Sequence, residues 1–544
     1  MKETTTLQNR NDAAESDQTA AELRPLLGTS EVQSPWIVAI AVMLATFMEV
    51  LDTAIASVAL PYIAGSLSAS TDEATWVLTS YLVANAIILP ASNWFSMRIG
   101  RKRFFIICVA IFTAASFACG AAPTLGFILL ARILQGAGGG ALQPLSQSIL
   151  LESFPPEKRG VAMALFGFGV VCAPILGPTL GGWLTDAYSW RYAFYINIPV
   201  GILAILMISR FVHDPPHMQG SKGISFDSIG FGTLVVWTGL LQVILDKGQE
   251  DDWFNAVWIR WAALLLVVSF TWFVWHSWRA EHPLVNLRVL RNWNFANGCL
   301  LILIFGISIY STVTVLPLFY QELMGYTAFA AGIVVAPRGL GSILAMPVIA
   351  YLSERIDARY LLTFGFILFA VTTFYMGSMT TDISPWTLLV PILITGFGVG
   401  FIFVPISTQA FGTLPKEQIG SASGLYNLMR NIGGSIGISL SATLLVRRSS
   451  LHQSEMTNYM PMSGQQFQAT LQSRVDALAT RFGPGLARYP AELQLYERLL
   501  YEARSWAFVD VFRWMAVLCL FGAGFVWLFK RVQKGRLPAG TGGH

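Results

Sequence analysis

The sequence predicts an all-α polytopic membrane protein with fourteen spanning helices. Two features of composition and one of patterning carry that expectation. Hydrophobic residues make up 54% of the 544 residues and charged residues only 12%, about half the charge of a typical soluble chain. Mean hydropathy is +0.56. The apolar residues fall in fourteen runs, each near the length of about 20 residues that a bilayer crossing needs. A soluble enzyme is excluded as the main body, because cores of this bulk would need a charged surface. A barrel is excluded as well. Its strands would be runs of about ten residues of alternating polarity, and these runs are longer and apolar all round.

The elements follow in order. Residues 1–34 are polar, with Glu3, Asp12, Glu15 and Asp17 where a signal peptide needs positive charge, and read as a disordered cytoplasmic tail. Six runs come next, at 36–60, 75–97, 104–123, 126–150, 161–184 and 193–212. A polar link, 213–227, leads to two more, 228–246 and 254–276, and a second polar stretch, 278–294, follows them. The last six are 295–320, 327–351, 360–379, 386–411, 421–446 and 506–529. Gly and Pro inside these runs are tolerated, because an unpaired backbone group costs more in lipid than a kink does. The pattern is 6+2+6: an N-terminal bundle over 35–212, a linker with two inserted helices over 213–294, and a C-terminal bundle over 295–530. Residues 531–544 form a second tail. The polar segment 447–505 is expected to be an outer loop with a short amphipathic helix at Gln465–Ala479. It reads either as a docking surface or as a solvated loop.

Basic residues set the orientation. With the N-terminus cytoplasmic, the inner connections hold Arg98, Arg101, Lys102, Arg103, Lys158, Arg159, Arg210, Arg279, Arg288, Arg291, Arg355, Arg359 and Lys416. The short outer ones hold little beyond Arg191 and Lys247. Both termini are therefore expected in the cytoplasm. The net charge of +4 is spread in short clusters and does not suggest nucleic acid.

Charge inside a membrane is costly and is usually kept for function. The first span holds Glu49 and Asp52, three residues apart and so near one helix face. Arg132 of span four lies at a depth close to that of Asp52, so the two can pair or compete. Either carboxylate could carry a coupling proton, and a structural ion pair or helix cap is the other reading. No histidine lies in the span interiors to compete for the role. Arg338 and Arg430 are mid-span, and either hold an anionic substrate or fix the bundle through helix carbonyls. Asn431 and Gln135 are candidates for the same contacts, or for helix–helix hydrogen bonds. Gly169, Ala173, Gly177 and Gly181 form a stripe of small residues on span five, with Pro174, Pro178 and Gly182 beside it. That helix reads as a bent hinge or inter-bundle seal, or as ordinary close packing. The five cysteines lie inside apolar runs without metal-like spacing. No Gly-x-x-x-x-Gly-Lys-Ser/Thr loop occurs. The chain is thus not expected to hydrolyse ATP, to be an enzyme or to need a cofactor, and transport would run on an ion gradient. Repeated loop signals, Arg98–Arg103 and Glu354–Arg359, suggest the internal symmetry of a secondary transporter.

These residues match a known pattern. Leu51-Asp52-Thr-Ala-Ile-Ala-Ser-Val-Ala-Leu-Pro61, Arg98-Ile-Gly100-Arg101-Lys102-Arg103, Leu130-Ala-Arg132-Ile-Leu-Gln135-Gly136, Gly169 through Gly182, and the stretch from Trp190 to Gly201 carry it. Over about residues 36–530 the chain resembles the fourteen-span drug:proton antiporters of the major facilitator superfamily, above all the EmrB-like multidrug efflux subunits of Gram-negative bacteria. The resemblance implies the major facilitator fold in the cell inner membrane and export of amphipathic hydrophobic compounds in exchange for protons. Asp52 is then a proton-coupling candidate and Arg132 its partner. A periplasmic adaptor protein and an outer-membrane channel are implied as partners. The loop motif departs from the family pattern, with Asn93 and Met97 where Gly and Asp are usual. The missing Asp serves a cytoplasmic latch alongside Arg98, Gly100 and Arg101, and Glu354 and Asp357 are expected to compensate. Three other readings stand: an exporter of one metabolite or siderophore, an importer, and a non-transporting receptor or scaffold.

Overall fold

The structure, a computed structural model, describes residues 34–155, 158–214, 226–378, 385–459, 464–483 and 486–530. The two tails lie outside this set, as does most of the link after span six. Helices account for nearly all of it, in the order α1 (Pro35–Ser66), α2 (Thr71–Ile99), α3 (Arg101–Gly120), α4 (Leu125–Gly139), α5 (Leu142–Ser153), α6 (Arg159–Ala187), α7 (Tyr192–Tyr195) and α8 (Asn197–Phe211). Two further helices, α9 (Ser228–Lys247) and α10 (Val257–Arg279), come before α11 (Trp293–Glu322). The rest are α12 (Ala328–Val335), α13 (Pro337–Arg355), α14 (Ala358–Met376), α15 (Pro385–Phe411), α16 (Lys416–Tyr459), α17 (Gln465–Phe482) and α18 (Arg488–Phe525).

Among the described residues, thirteen helical stretches are long and apolar enough to cross a membrane. The fourteenth expected span is α16. Arg430, Asn427, Asn431 and a run of Gly and Ser dilute its apolar character, yet it is packed between other helices rather than facing lipid, with Asn427 and Arg430 fully buried. Three expected spans are each made of two helices: α4 and α5 meet at Gly140–Ala141, α7 and α8 at Ile196, and α12 and α13 at Ala336. The described residues of segment 447–505 are mostly helical. The ends of α16 and α18 run through it as helix, with α17 close to where the amphipathic helix is expected.

The molecule is apolar on the outside, as lipid requires, and keeps the charged residues of its spans within a largely apolar core. Leu130, Trp261, Val371 and Phe521 are all more than half exposed, while Glu49, Asp52, Arg132, Arg338 and Arg430 are buried. Two helix groups make up the body. In the first, α1 packs on α6 and α8, and α4 on α2 and α3; in the second, α11 packs on α16, and α15 on α13 and α14. The inserted helix α9 bridges the groups at the end opposite the Arg98–Arg103 turn. It bonds α2 through Asp246 to Thr79 and Lys247 Nζ to Thr75 Oγ1 at 2.8 Å, and α16 through Ser435 Oγ to Gln242 Oε1 at 2.8 Å. Gly100, which ends α2 and starts α3, has φ +97°, so that sharp turn needs glycine.

Candidate functional site

Three layers of polar residues stand in the membrane-spanning body. The first surrounds Asp52 on α1. Arg132 of α4 donates from Nη1 to Asp52 Oδ2 at 2.6 Å, and both side chains are fully buried. Gln135 Nε2 and Asn197 Nδ2 donate to Asp52 Oδ1 at 2.8 and 2.6 Å. Arg132 is held in turn by the Val77 carbonyl at 2.9 Å, by Gln135 Oε1 at 2.7 Å and by the face of the Tyr81 ring, 4.2 Å from its centroid. Gln135 and Asn197 share Ser116 as a further partner. The carboxylate thus accepts three hydrogen bonds from two helices, α4 and α8. The geometry places Gln135 in this cluster and not with the mid-span arginines.

One turn along α1, Glu49 makes the second layer. Tyr81 Oη and Asn85 Nδ2 donate to its Oε1 at 3.1 and 3.0 Å, and Gln143 Nε2 donates to Oε2 at 2.5 Å. All three donors are neutral, so Glu49 can gain or lose a proton without breaking a direct ion pair. Glycine on α4 makes room for them. A Cβ at Gly139 would lie 2.8 Å from Tyr81 Oη, closer than real side chains approach, and 3.4 Å from Asn85 Nδ2. Gln143 also accepts from Arg430 Nη2 of α16, and Asn85 Oδ1 accepts from Asn431 at 3.5 Å.

The third layer is a small central cavity of about 30 Å³. It lies between the helix groups, lined by Pro174 of α6 and by Phe305, Ile309, Phe403, Arg338 and Arg430 of the second group. Its wall is apolar except for the two arginines. The three guanidinium nitrogens of Arg338 and two of those of Arg430 have no hydrogen-bond partner among the described residues. Both arginines are essentially unexposed. The chemistry of this lining, apolar with two cations, matches an apolar body with an acidic group, although the space would have to widen to admit one.

The span-five residues sort onto two faces of α6. A Cβ at Gly169 would meet Met43, one at Gly177 would meet Ala54, and one at Gly181 would come within 3.2 Å of Ile55, so the stripe packs on α1 beside the two carboxylates. Gly182 and Pro174 face the second helix group, near Phe329 and in the cavity wall. Pro178 lies within α6, which continues through both prolines.

At the Arg98–Arg103 end, the gate residues stay mostly within their own groups. Arg101 pairs with Glu152 at 2.8 Å, and Asp357 caps α14 by accepting from Arg359 N at 3.1 Å. The Glu354 side chain lies outside the described residues. The groups meet there through neutral contacts of α16. Asn93 Nδ2 donates to Ser421 Oγ at 2.9 Å, Ser423 Oγ to the Pro144 carbonyl at 2.8 Å, and Asn427 Nδ2 to Gln147 Oε1 at 2.6 Å. Sequence reasoning missed Tyr81, Asn85, Gln143 and Asn197. Only their convergence in space distinguishes them from ordinary polar residues in helices. All five cysteines are buried and unbridged.

Comparison with known proteins agrees with this architecture. Residues 42–438 match the model of the Major Facilitator Superfamily. The multidrug export protein EmrB of Escherichia coli (strain K12) is 35% identical over 525 residues, spanning 96% of this chain and 98% of that protein. The fatty acid resistance protein FarB of Neisseria gonorrhoeae is 37% identical over 418 residues, 77% of this chain and 82% of that protein. In fold, the chain is similar to the crystal structure of the human organic anion transporter MFSD10, with a TM-score of 0.55 at 14% identity over 89% of this chain and 99% of that one.

Proposed function

Because the chain belongs to the major facilitator superfamily, as an EmrB-like multi-pass membrane protein, we propose that it is a proton-coupled antiporter that exports amphipathic hydrophobic compounds by alternating access. The observation that carries this reading is the pair of buried carboxylates, Asp52 and Glu49, one of them linked through Gln143 to Arg430 in the wall of a cavity between the two helix groups. A proton taken by either carboxylate changes the hydrogen bonds that hold α1 to its neighbours. The groups then rock about the cavity. Antiport requires that proton and substrate disfavour each other's binding.

The proposed setting is the cell inner membrane, with both termini in the cytoplasm. The N-terminal bundle is then 35–212, the inserted pair lies within 213–294, and the C-terminal bundle is 295–530. On this orientation the helical projection of α16, α17 and α18 stands outside, where a periplasmic adaptor leading to an outer-membrane channel would meet it. Arg338 and Arg430 favour cargo that carries an acidic group, and the name of the FarB relative supports long apolar acids among the candidates.

The test is substrate-driven proton flux in proteoliposomes under an imposed pH gradient, with amphipathic acids and bases and with D52N and E49Q in parallel. Proton counterflow with several unlike compounds is expected. Flux with one compound alone would favour a dedicated metabolite or siderophore exporter. Saturable binding without flux would replace transport by a receptor or scaffold role.

A further inference from the structure

Among the described residues, Gln143 touches both a membrane carboxylate and a charged group of the opposite helix group. Its Nε2 donates to Glu49 Oε2 at 2.5 Å, while its Oε1 accepts from Arg430 Nη2. Glu49 and Gln143 belong to the first group, on α1 and α5, and Arg430 belongs to the second, on α16. The amide is fully committed. One end serves the carboxylate and the other holds a guanidinium across the boundary between groups.

We propose that Gln143 is the positioning residue that ties the charge state of Glu49 to the closure of that boundary. The inference rests on the proton-coupled reading above. An ionised carboxylate only accepts, so it turns the amide N–H₂ of Gln143 towards itself and the carbonyl oxygen towards Arg430. A protonated carboxyl must also donate. The Gln143 oxygen is an acceptor within reach, and it serves once the amide rotates. Rotation points the N–H₂ at Arg430, donor against donor, and the bond across the boundary is lost. Asn85 follows the same rule more weakly. Its Nδ2 serves Glu49 while its Oδ1 accepts from Asn431 of α16 at 3.5 Å, so a turned Asn85 also releases α16. Tyr81 is the third neighbour, and its hydroxyl can donate or accept without reaching α16.

The charged and titratable groups around Glu49 are few. They are Tyr81 from α2, Arg430 from α16, and the Asp52–Arg132 pair one turn along α1. Between Arg159 and Asp186, α6 has only the Cys172 thiol, and α8 has no charged residue before Arg210. On α5 the one charged residue, Glu152, is paired with Arg101. Glu49 is therefore the group whose protonation Gln143 reads. The arrangement also supplies what the loop motif lacks. The second group is held at this boundary by amide and hydroxyl contacts, and Gln143–Arg430 adds a charged one.

The test is chemical cross-linking across the boundary in the full-length protein, using N93C/S421C and a short bifunctional thiol reagent. The five native cysteines are buried and unavailable to it. In the otherwise unchanged protein, the cross-linked fraction is expected to fall about tenfold from alkaline to acidic pH, the shift expected when one charge-assisted hydrogen bond is lost. E49Q should give the low, acidic-like fraction at every pH. Q143M, of similar length but without the amide, should be low and independent of pH. A pH response that persists in E49Q or in folded Q143M overturns the proposal, as does a parent protein with no response. If Q143M fails to fold, E49Q decides. Proton flux is measured separately, so a pH-dependent boundary without transport leaves the linkage standing and removes the antiporter reading.

Discussion

Asp52 and Arg132 are bound to each other by burial as much as by charge. Removing one partner of a buried pair leaves the other charged and dry, a loss of about 3–5 kcal/mol. R132M is therefore expected to lower the Tm of the detergent-purified protein sharply. D52N/R132M should recover much of that loss, because it removes both charges together. A double variant no more stable than R132M would show that the pair is not the source of the effect. At Gly139 the expectation is different. G139A should disturb Tyr81 and Asn85 beside Glu49, reducing proton-coupled flux more than it reduces Tm. Equal proportional losses of both would mean that Gly139 serves packing alone. Charge in an apolar run is rare, so Asp52, Glu49 and Arg132 stood out in the sequence. Gln143 and Asn197 did not, because a neutral amide in a helix ordinarily finds a nearby partner, and nothing local shows that its partner is a carboxylate on another helix.

Helices were legible wherever length and apolarity agreed. Fourteen runs announced fourteen crossings, because lipid leaves the backbone little choice but helix. The interruptions at Gly140–Ala141, Ile196 and Ala336 were hidden, since a break inside an apolar run leaves no trace in its hydropathy. The helical ends of α16 and α18 within 447–505 were hidden for the opposite reason. They are polar, and outside the membrane a polar stretch can be helix or loop. On α6, the glycine stripe was visible but its target was not. The contacts with Met43, Ala54 and Ile55 place it against α1. G177V should force α1 away from α6, since inserted methyl groups in a packed contact cost about 1–3 kcal/mol. A thermal-shift measurement should show a lower Tm, and a Tm equal to that of the parent protein would mean that the contact yields without strain.

For the molecule as a whole, the cavity between the two helix groups decides what the transporter can carry. Arg338 has no hydrogen-bond partner for any of its guanidinium nitrogens among the described residues, which leaves them available to a ligand on the proposed reading. R338A should weaken binding of amphipathic carboxylates by about tenfold or more, the loss expected of a charge-assisted hydrogen bond. Binding of amphipathic amines should change little. Equilibrium binding to the purified protein measures both, and equal weakening of the two classes would make Arg338 a structural residue. The polar links in the sequence suggest the 6+2+6 division. How α9 joins the groups was not legible there, because its hydrogen bonds to Thr79, Thr75 and Ser435 come from single polar residues on three different spans.

Helix α16 has 44 residues, about 66 Å of continuous rod at 1.5 Å per residue. Near one end it grips the first helix group through Ser421, Ser423 and Asn427, and its other end stands in the projection with α17 and α18. A rod so mounted is a lever arm. A tilt of about ten degrees at the gripped end would sweep the far tip through roughly 9 Å, since the two are about 54 Å apart. Small rearrangements around Glu49 would then be magnified into displacements large enough for another protein to sense. Whatever docks on the projection would receive the phase of the transport cycle as a mechanical signal, without ever touching the cargo.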